Sequence, residues 1–169
     1  DIYSKNILVI GLGGVGSYAV EALVRSGIQN ITIIDNDTIS LSNLNRQLMT
    51  YQSNIGKYKT DEIEKRILDI NPQCKVNKIN KFVTLDNINE LINKEYDYIV
   101  DACDTITVKL ELIRISKRKN IKLISCMGTG NKMDPTKLKI MDIRKTSYDP
   151  IAKIIRKMIK DEKIKGKIM

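Results

Sequence analysis

The feature that most restricts the fold is ILVIGLGGVGSYAVEALVRSG, residues 7–27. The apolar run 7–10 has no polar alternation, as expected of a strand buried on both faces of a parallel sheet. It breaks at Gly11, and residues 15–26 read as a helix closed by Gly27. A second apolar run, 31–34, follows and ends at Asp35. Two buried strands joined by a helix commit the chain to parallel pairing. The alternation then continues. Residues 58–70 are helical, with Ile63, Ile67 and Ile70 on one face and Asn71-Pro72 as the stop. Strands are expected at 75–80, 98–100, 122–126 and 138–143, and helices at 86–92 and 108–119. The expected fold is α/β and Rossmann-like: a mostly parallel sheet with helices on both faces. After Pro150, Ile151, Ile154, Ile155, Met158 and Ile159 recur at helical spacing, with Lys153, Arg156, Lys157 and Lys160 opposite them. This predicts a C-terminal amphipathic basic helix. The chain then divides into a Rossmann-like domain, 1–148, and a basic helical extension, 149–169.

Composition narrows the chemistry. The 169 residues contain no histidine, which excludes histidine bases, histidine triads and histidine-ligated metals within them. Three cysteines, Cys74, Cys103 and Cys126, form no CxxC pair, as suits a reducing cytoplasm. No apolar run approaches the roughly 20 residues of a membrane span. A polar opening at Asp1 gives no signal peptide; a start without Met, directly at a strand, is expected of a fragment of a longer protein. Localisation is expected to be cytoplasmic. The net charge is +9, and residues 151–169 hold seven Lys or Arg against two acids. That basic helix is either a docking element with a solvated basic side or a polyanion-facing surface.

Three motifs fall at strand ends, where open α/β sheets place their ligands. Gly11, Gly13 and Gly16, with Gly14 between them, form G-x-G-x-x-G between a strand and a helix. Such a turn lets the backbone approach a phosphate under the free N–H groups of a helix start. Asp35 ends the second strand and is placed to accept hydrogen bonds from ribose hydroxyls, for NAD or ATP alike. Asp37 is grouped with it for cofactor binding, although Asp37 or Ser40 could equally cap the turn. SNLNRQ, residues 42–47, separates the two nucleotides. An NAD-dependent oxidoreductase has no use for Arg46 here. An enzyme that splits ATP does, because attack on the α-phosphate builds negative charge that Arg46 and a lysine can stabilise. Asn43 could orient the chain or a phosphate oxygen; the plain alternative is a capped surface loop. Lys59, at a helix start in GKYKTDE, is the candidate lysine, with Lys57 as its rival. In DACDT, Asp104 is the candidate Mg²⁺ ligand, and Asp101 is expected to accept from loop amides. Cys103 and Cys126 are expected to be inert core thiols. The chain lacks GxxxxGK[ST] and is no P-loop ATPase.

Together GLGGVG, IIDND, SNLNRQ, GKYK, Asn71-Pro72 and VDACDT resemble the ATP-dependent adenylating enzymes of the ThiF/MoeB/HesA, ubiquitin-activating-like family, over residues 5 to about 125. That resemblance implies ATP and Mg²⁺ as cofactors, with Asp35 on the ribose, Arg46 and Lys59 on the triphosphate and Asp104 on the metal. It also implies a homodimer, in which a segment before the first strand brings an arginine to the partner's site, and a chain running on past Met169. Beyond the fifth strand, MDPT, IMDIRKT and DP before the basic helix look like the tRNA-modifying branch. There the substrate would be the threonyl carboxylate of threonylcarbamoyladenosine in tRNA, adenylated and then cyclised with release of AMP. Activation of a ubiquitin-like or sulfur-carrier protein, with a possible sulfur-relay partner, is the second expectation. An NAD oxidoreductase and a non-catalytic nucleotide-binding module follow it.

Overall fold

A computed structural model describes residues 2–92 and 95–169; Asp1 lies outside the described residues. Five strands form one sheet: β1 (Asn6–Ile10), β2 (Asn30–Ile34), β3 (Lys75–Ile79), β4 (Tyr98–Asp101) and β5 (Lys122–Ser125). Every pairing is parallel and the order is β3-β2-β1-β4-β5. The helices are α1 (Gly16–Arg25), α2 (Lys59–Ile70), α3 (Ile88–Leu91), α4 (Ile106–Arg118) and α5 (Pro150–Asp161).

The apolar runs supply both faces of the sheet, since successive strand residues point to opposite sides. Ile7, Val9, Ile31 and Ile33 face α1 and α2, where Val20, Val24, Ile63 and Ile67 complete one cluster. Leu8, Ile10, Ile34 and Ile99 face α3 and α4, against Ile88, Leu91, Val108, Leu112 and Ile115. Glu21 of α1 ties the first pair of helices together by accepting from Arg66 of α2 at 2.6 and 2.9 Å. The other side of α4 is apolar too. Leu110 and Ile113 pack there against Ala152, Ile155 and Ile159 of α5, with Ile143 and Ile168 beside them.

Two expectations change. Residues 138–143 form no strand. Short 3-10 turns at Pro135–Lys137 and Ile143–Lys145 bracket the segment. Asp134 and Asp142 hold these turns by accepting from the amides of Thr136 and Arg144 at 3.0 and 2.8 Å. Local capping by short acidic side chains thus outcompetes sheet pairing. Beside β5 lies Met169, whose carbonyl accepts from Ser125 N at 2.9 Å. In α5 the buried stripe is Ala152, Ile155 and Ile159, while Ile154 is 44% exposed. The helix is rotated so that its small residue meets α4.

Candidate nucleotide site

The sheet order reverses direction at β1, which has β2 on one side and β4 on the other. Crevices at such a point, beyond the carboxyl ends of the strands, are where ligands bind in open α/β sheets. All three strand-end motifs arrive there.

Gly11 follows β1 with φ +87°, and a Cβ on it would stand 2.7 Å from the Ala102 carbonyl oxygen. A Cβ on Gly16 would stand 1.8 Å from the carbonyl oxygen of Gly11. Only glycine fits either position. The loop therefore closes on itself and against the turn after β4. Its tightness brings bare backbone and the N-terminus of the ten-residue α1 into the crevice.

Asp35 follows β2 and fastens this loop. Its Oδ2 accepts from Leu12 N at 2.7 Å and its Oδ1 from Asp37 N at 2.8 Å. A carboxylate has about four acceptor positions, so both oxygens retain capacity for hydroxyl donors. Asp37 in turn accepts from Lys59 Nζ at 2.7 Å. The Lys59 side chain is 5% exposed and that of Asp37 is 57% exposed. The ammonium is thus buried and held toward the crevice by an accessible carboxylate. Lys57 is exposed, and it borders a surface hollow of about 360 Å³ with Asp61, Glu62 and Lys78. Between the two rivals, Lys59 is the one joined to the strand-end aspartates.

Asn43 is buried and organises its turn. Its Oδ1 accepts from Ser40 N at 3.0 Å, and its carbonyl accepts from the amides of Arg46 and Gln47 at 3.2 and 3.0 Å. Arg46 is exposed and lies over the glycine loop: its Cγ is 3.3 Å from where a Cβ on Gly14 would stand. Its Nη1 donates to the Ser42 carbonyl and to Asn45 Oδ1, both at 2.9 Å. Asp104 is exposed between β4 and α4, and among the described residues it has no hydrogen-bond or ion-pair partner. No group of three or more His, Cys, Asp or Glu side chains stands ready for a metal among the described residues. Mg²⁺ here would take Asp104 as its protein ligand and fill its shell from phosphates and water, a mode this ion favours.

Two groups escape sequence reasoning. Asp101 accepts from Cys103 N at 3.2 Å, as its position before the turn suggests, but its main partner is Lys109. Lys109 Nζ donates to both Asp101 oxygens, at 3.2 and 3.1 Å, and to the Cys126 carbonyl at 2.7 Å. The two side chains are 0% and 1% exposed. The only sign of this pair in the sequence is a lysine between Val108 and Leu110. The other is Gln47, buried beside Gly13. Burial raises the pKa of all three thiols, and the Asp101 charge adds to this at Cys103 and Cys126, the two expected to be inert.

Residues 1–158 match the ThiF family. The chain belongs to that family. Among its relatives is the tRNA threonylcarbamoyladenosine dehydratase of Bacillus subtilis, 43% identical over 162 residues, which are 96% of this chain and 64% of that protein. The crystal structure of the E. coli enzyme TcdA in complex with ATP superposes with a TM-score of 0.91 at 39% identity, covering 95% of this chain and 66% of that one. A probable molybdopterin-synthase adenylyltransferase of Porphyra purpurea is 43% identical over only 100 residues, 59% of this chain and 26% of that protein. The chain thus spans 64% of the length of the Bacillus subtilis dehydratase, less than two thirds of it. Among its described residues no helix is long and apolar enough to cross a membrane.

Proposed function

We propose that this ThiF-family chain binds ATP at the carboxyl end of β1 and adenylates the threonyl carboxylate of threonylcarbamoyladenosine in tRNA. The carbamoyl nitrogen of the same side chain then closes a ring on the activated carbonyl, and AMP leaves. The net change is an ATP-dependent dehydration. The observation that carries the ATP reading is the convergence of a glycine loop, two strand-end aspartates, a buried lysine and an arginine on one crevice. The dehydratase branch rests on reach. The similarity to the Bacillus subtilis dehydratase covers 96% of the chain, whereas that to the molybdopterin-synthase relative covers 59%.

Each residue has work in this reaction. The glycine-loop amides and the α1 N-terminus hold phosphate oxygens. Asp35, already fixed by Leu12 N and Asp37 N, takes the ribose hydroxyls. As the carboxylate attacks the α-phosphate, charge grows there and on the departing pyrophosphate. Arg46 over Gly14 and Lys59 beside Asp37 are preorganised cations for that charge. Asp104 would hold Mg²⁺, which supplies charge neutralisation to the triphosphate when bound. The exposed Lys153, Lys157 and Lys160 on α5 offer a face for tRNA phosphates. Arg156 serves the fold instead, donating to Thr146 Oγ1 at 2.5 Å. A homodimer and a cytoplasmic location belong to the same proposal.

The test is incubation of the protein with ATP, Mg²⁺ and tRNA carrying the modification, followed by AMP assay and nucleoside mass. AMP together with a nucleoside lighter by one water supports the dehydratase. Pyrophosphate released and an acyl-adenylate formed only with a carrier-protein carboxyl tail, the tRNA staying unchanged, would move the assignment to the second expectation.

A further inference from the structure

Tyr148 is 100% exposed, and among the described residues its side chain has no hydrogen bond or ring contact. Its backbone sits at φ +62°, a left-handed conformation that is costly for a bulky side chain and cheap for glycine or asparagine. Single apolar side chains at a surface are ordinary, but this one combines full exposure with backbone strain. The segment is not loose. Thr146 Oγ1 donates to the Ile143 carbonyl at 2.6 Å and accepts from Arg156 Nη1 at 2.5 Å. Asp149 is buried; it caps α5 by accepting from Ala152 N at 2.8 Å and pairs with Lys132 Nζ at 2.9 Å. The ring is thus displayed from a turn fixed on both sides. That turn lies at the edge of the sheet that carries the crevice. Asp149 Oδ2 stands 2.9 Å from where a Cβ on Gly128 would be, and Gly128 follows the carboxyl end of β5.

The surroundings are basic. Lys153, Lys157 and Lys160 recur at helical spacing along one face of α5. Helical side chains lean toward the N-terminus, the end at which Tyr148 stands. These three and Lys145 are exposed, and none has a carboxylate partner among the described residues. We propose that Tyr148 is a platform on which an unpaired base of the RNA substrate stacks, with the α5 lysines on the phosphates that lead to it. This rests on the tRNA reading above and adds the part of the RNA that is recognised: a loop with a free base, not a duplex. An open aromatic ring accepts the face of any unstacked base, whereas bases inside a duplex have no face to give. Ammonium groups without partners suit the phosphates on either side of such a base.

Tyr148→Asn removes the ring and suits the backbone, so the melting temperature should hold or rise by a few degrees. Its affinity for tRNA carrying threonylcarbamoyladenosine should fall about five- to a hundred-fold, the loss expected for one stacked base. Tyr148→Trp should bind that tRNA as tightly as the unaltered protein does. A fully paired RNA duplex should bind equally to all three. Stacking releases no counterions, so the salt dependence of tRNA binding should not change in Tyr148→Asn. Lys157→Ala should instead lower the salt slope by about one and weaken tRNA and duplex alike. Fluorescence anisotropy of end-labelled RNA titrated with the full chain at several salt concentrations, alongside thermal melts, reads all of these. Unchanged tRNA affinity in Tyr148→Asn overturns the proposal, as does an equal loss in Tyr148→Trp or an equal loss for tRNA and duplex. A carrier-protein tail that loses affinity where tRNA does not would assign the ring to a protein partner instead. An unaltered protein that binds no tRNA brings down the substrate reading and this proposal with it.

Discussion

Lys109→Met should be among the most damaging single changes outside the crevice. Lys109 and Asp101 form an ion pair with essentially no solvent access, and Nζ contacts both carboxylate oxygens as well as the Cys126 carbonyl. Methionine fills nearly the same volume, so no cavity term arises. What changes is charge: Asp101 keeps Ser125 Oγ and Cys103 N as donors but loses the one cation paired with it among the described residues. Removing one partner of a buried pair typically costs about 3–5 kcal/mol. In a chain of this size each kcal/mol lowers Tm by roughly 2–4 °C, so the expected fall is about 6–20 °C. The double variant Asp101→Asn, Lys109→Met carries no stranded charge and should recover at least half of that loss. Thermal and urea unfolding of the three proteins measure it. A single variant within about 1 kcal/mol of the unaltered protein, or a double variant less stable than the single, would refute the buried-pair reasoning.

Arg46→Ala and Asp104→Ala should leave the fold intact, both side chains being exposed. Each should lower turnover by roughly 10²–10³, the usual cost of one preorganised charge contact; steady-state AMP release measures this. Acid should loosen the contact between α1 and α2. The Arg66 guanidinium, with Arg25 beside it, holds the Glu21 carboxyl below its usual value against the opposing effect of burial. The stabilisation is present above the ordinary glutamate pKa of about 4.3 and is lost as pH falls through the lowered one. Thermal melts from pH 7 to pH 3 should therefore show a smaller decline for Glu21→Gln than for the unaltered protein.

The sequence carried the fold class because β1 and β2 are continuous apolar runs and each ends at a glycine or an aspartate. It could not say which of residues 7–10 faces which helices, since all four are apolar and only the helix positions sort them. The stretch 138–143 looked like a strand for its apolar content, but Asp134 and Asp142 cap turns on either side of it. The stripe on α5 was displaced from Ile154 to Ala152 because α4, a partner distant in sequence, decides which side is covered. In the crevice, Gly11, Gly16, Asp35, Arg46 and Lys59 were legible as motif residues. Their arrangement was not: that Asp35 fastens Leu12 N, or that Asp37 holds Lys59, depends on contacts over 22 or 23 residues. Lys109 and Gln47 were missed for the same reason, since burial and pairing are tertiary facts.

The most direct test of adenylation is to follow the oxygen. If the threonyl carboxylate attacks the α-phosphate and the carbamoyl nitrogen then displaces AMP, one carboxylate oxygen must leave on that AMP. Modified tRNA labelled with oxygen-18 in the threonyl carboxylate, turned over with ATP and Mg²⁺, should yield AMP carrying one labelled oxygen and a cyclised nucleoside retaining the other. Cyclised nucleoside accompanied by unlabelled AMP would contradict attack by the carboxylate on the α-phosphate.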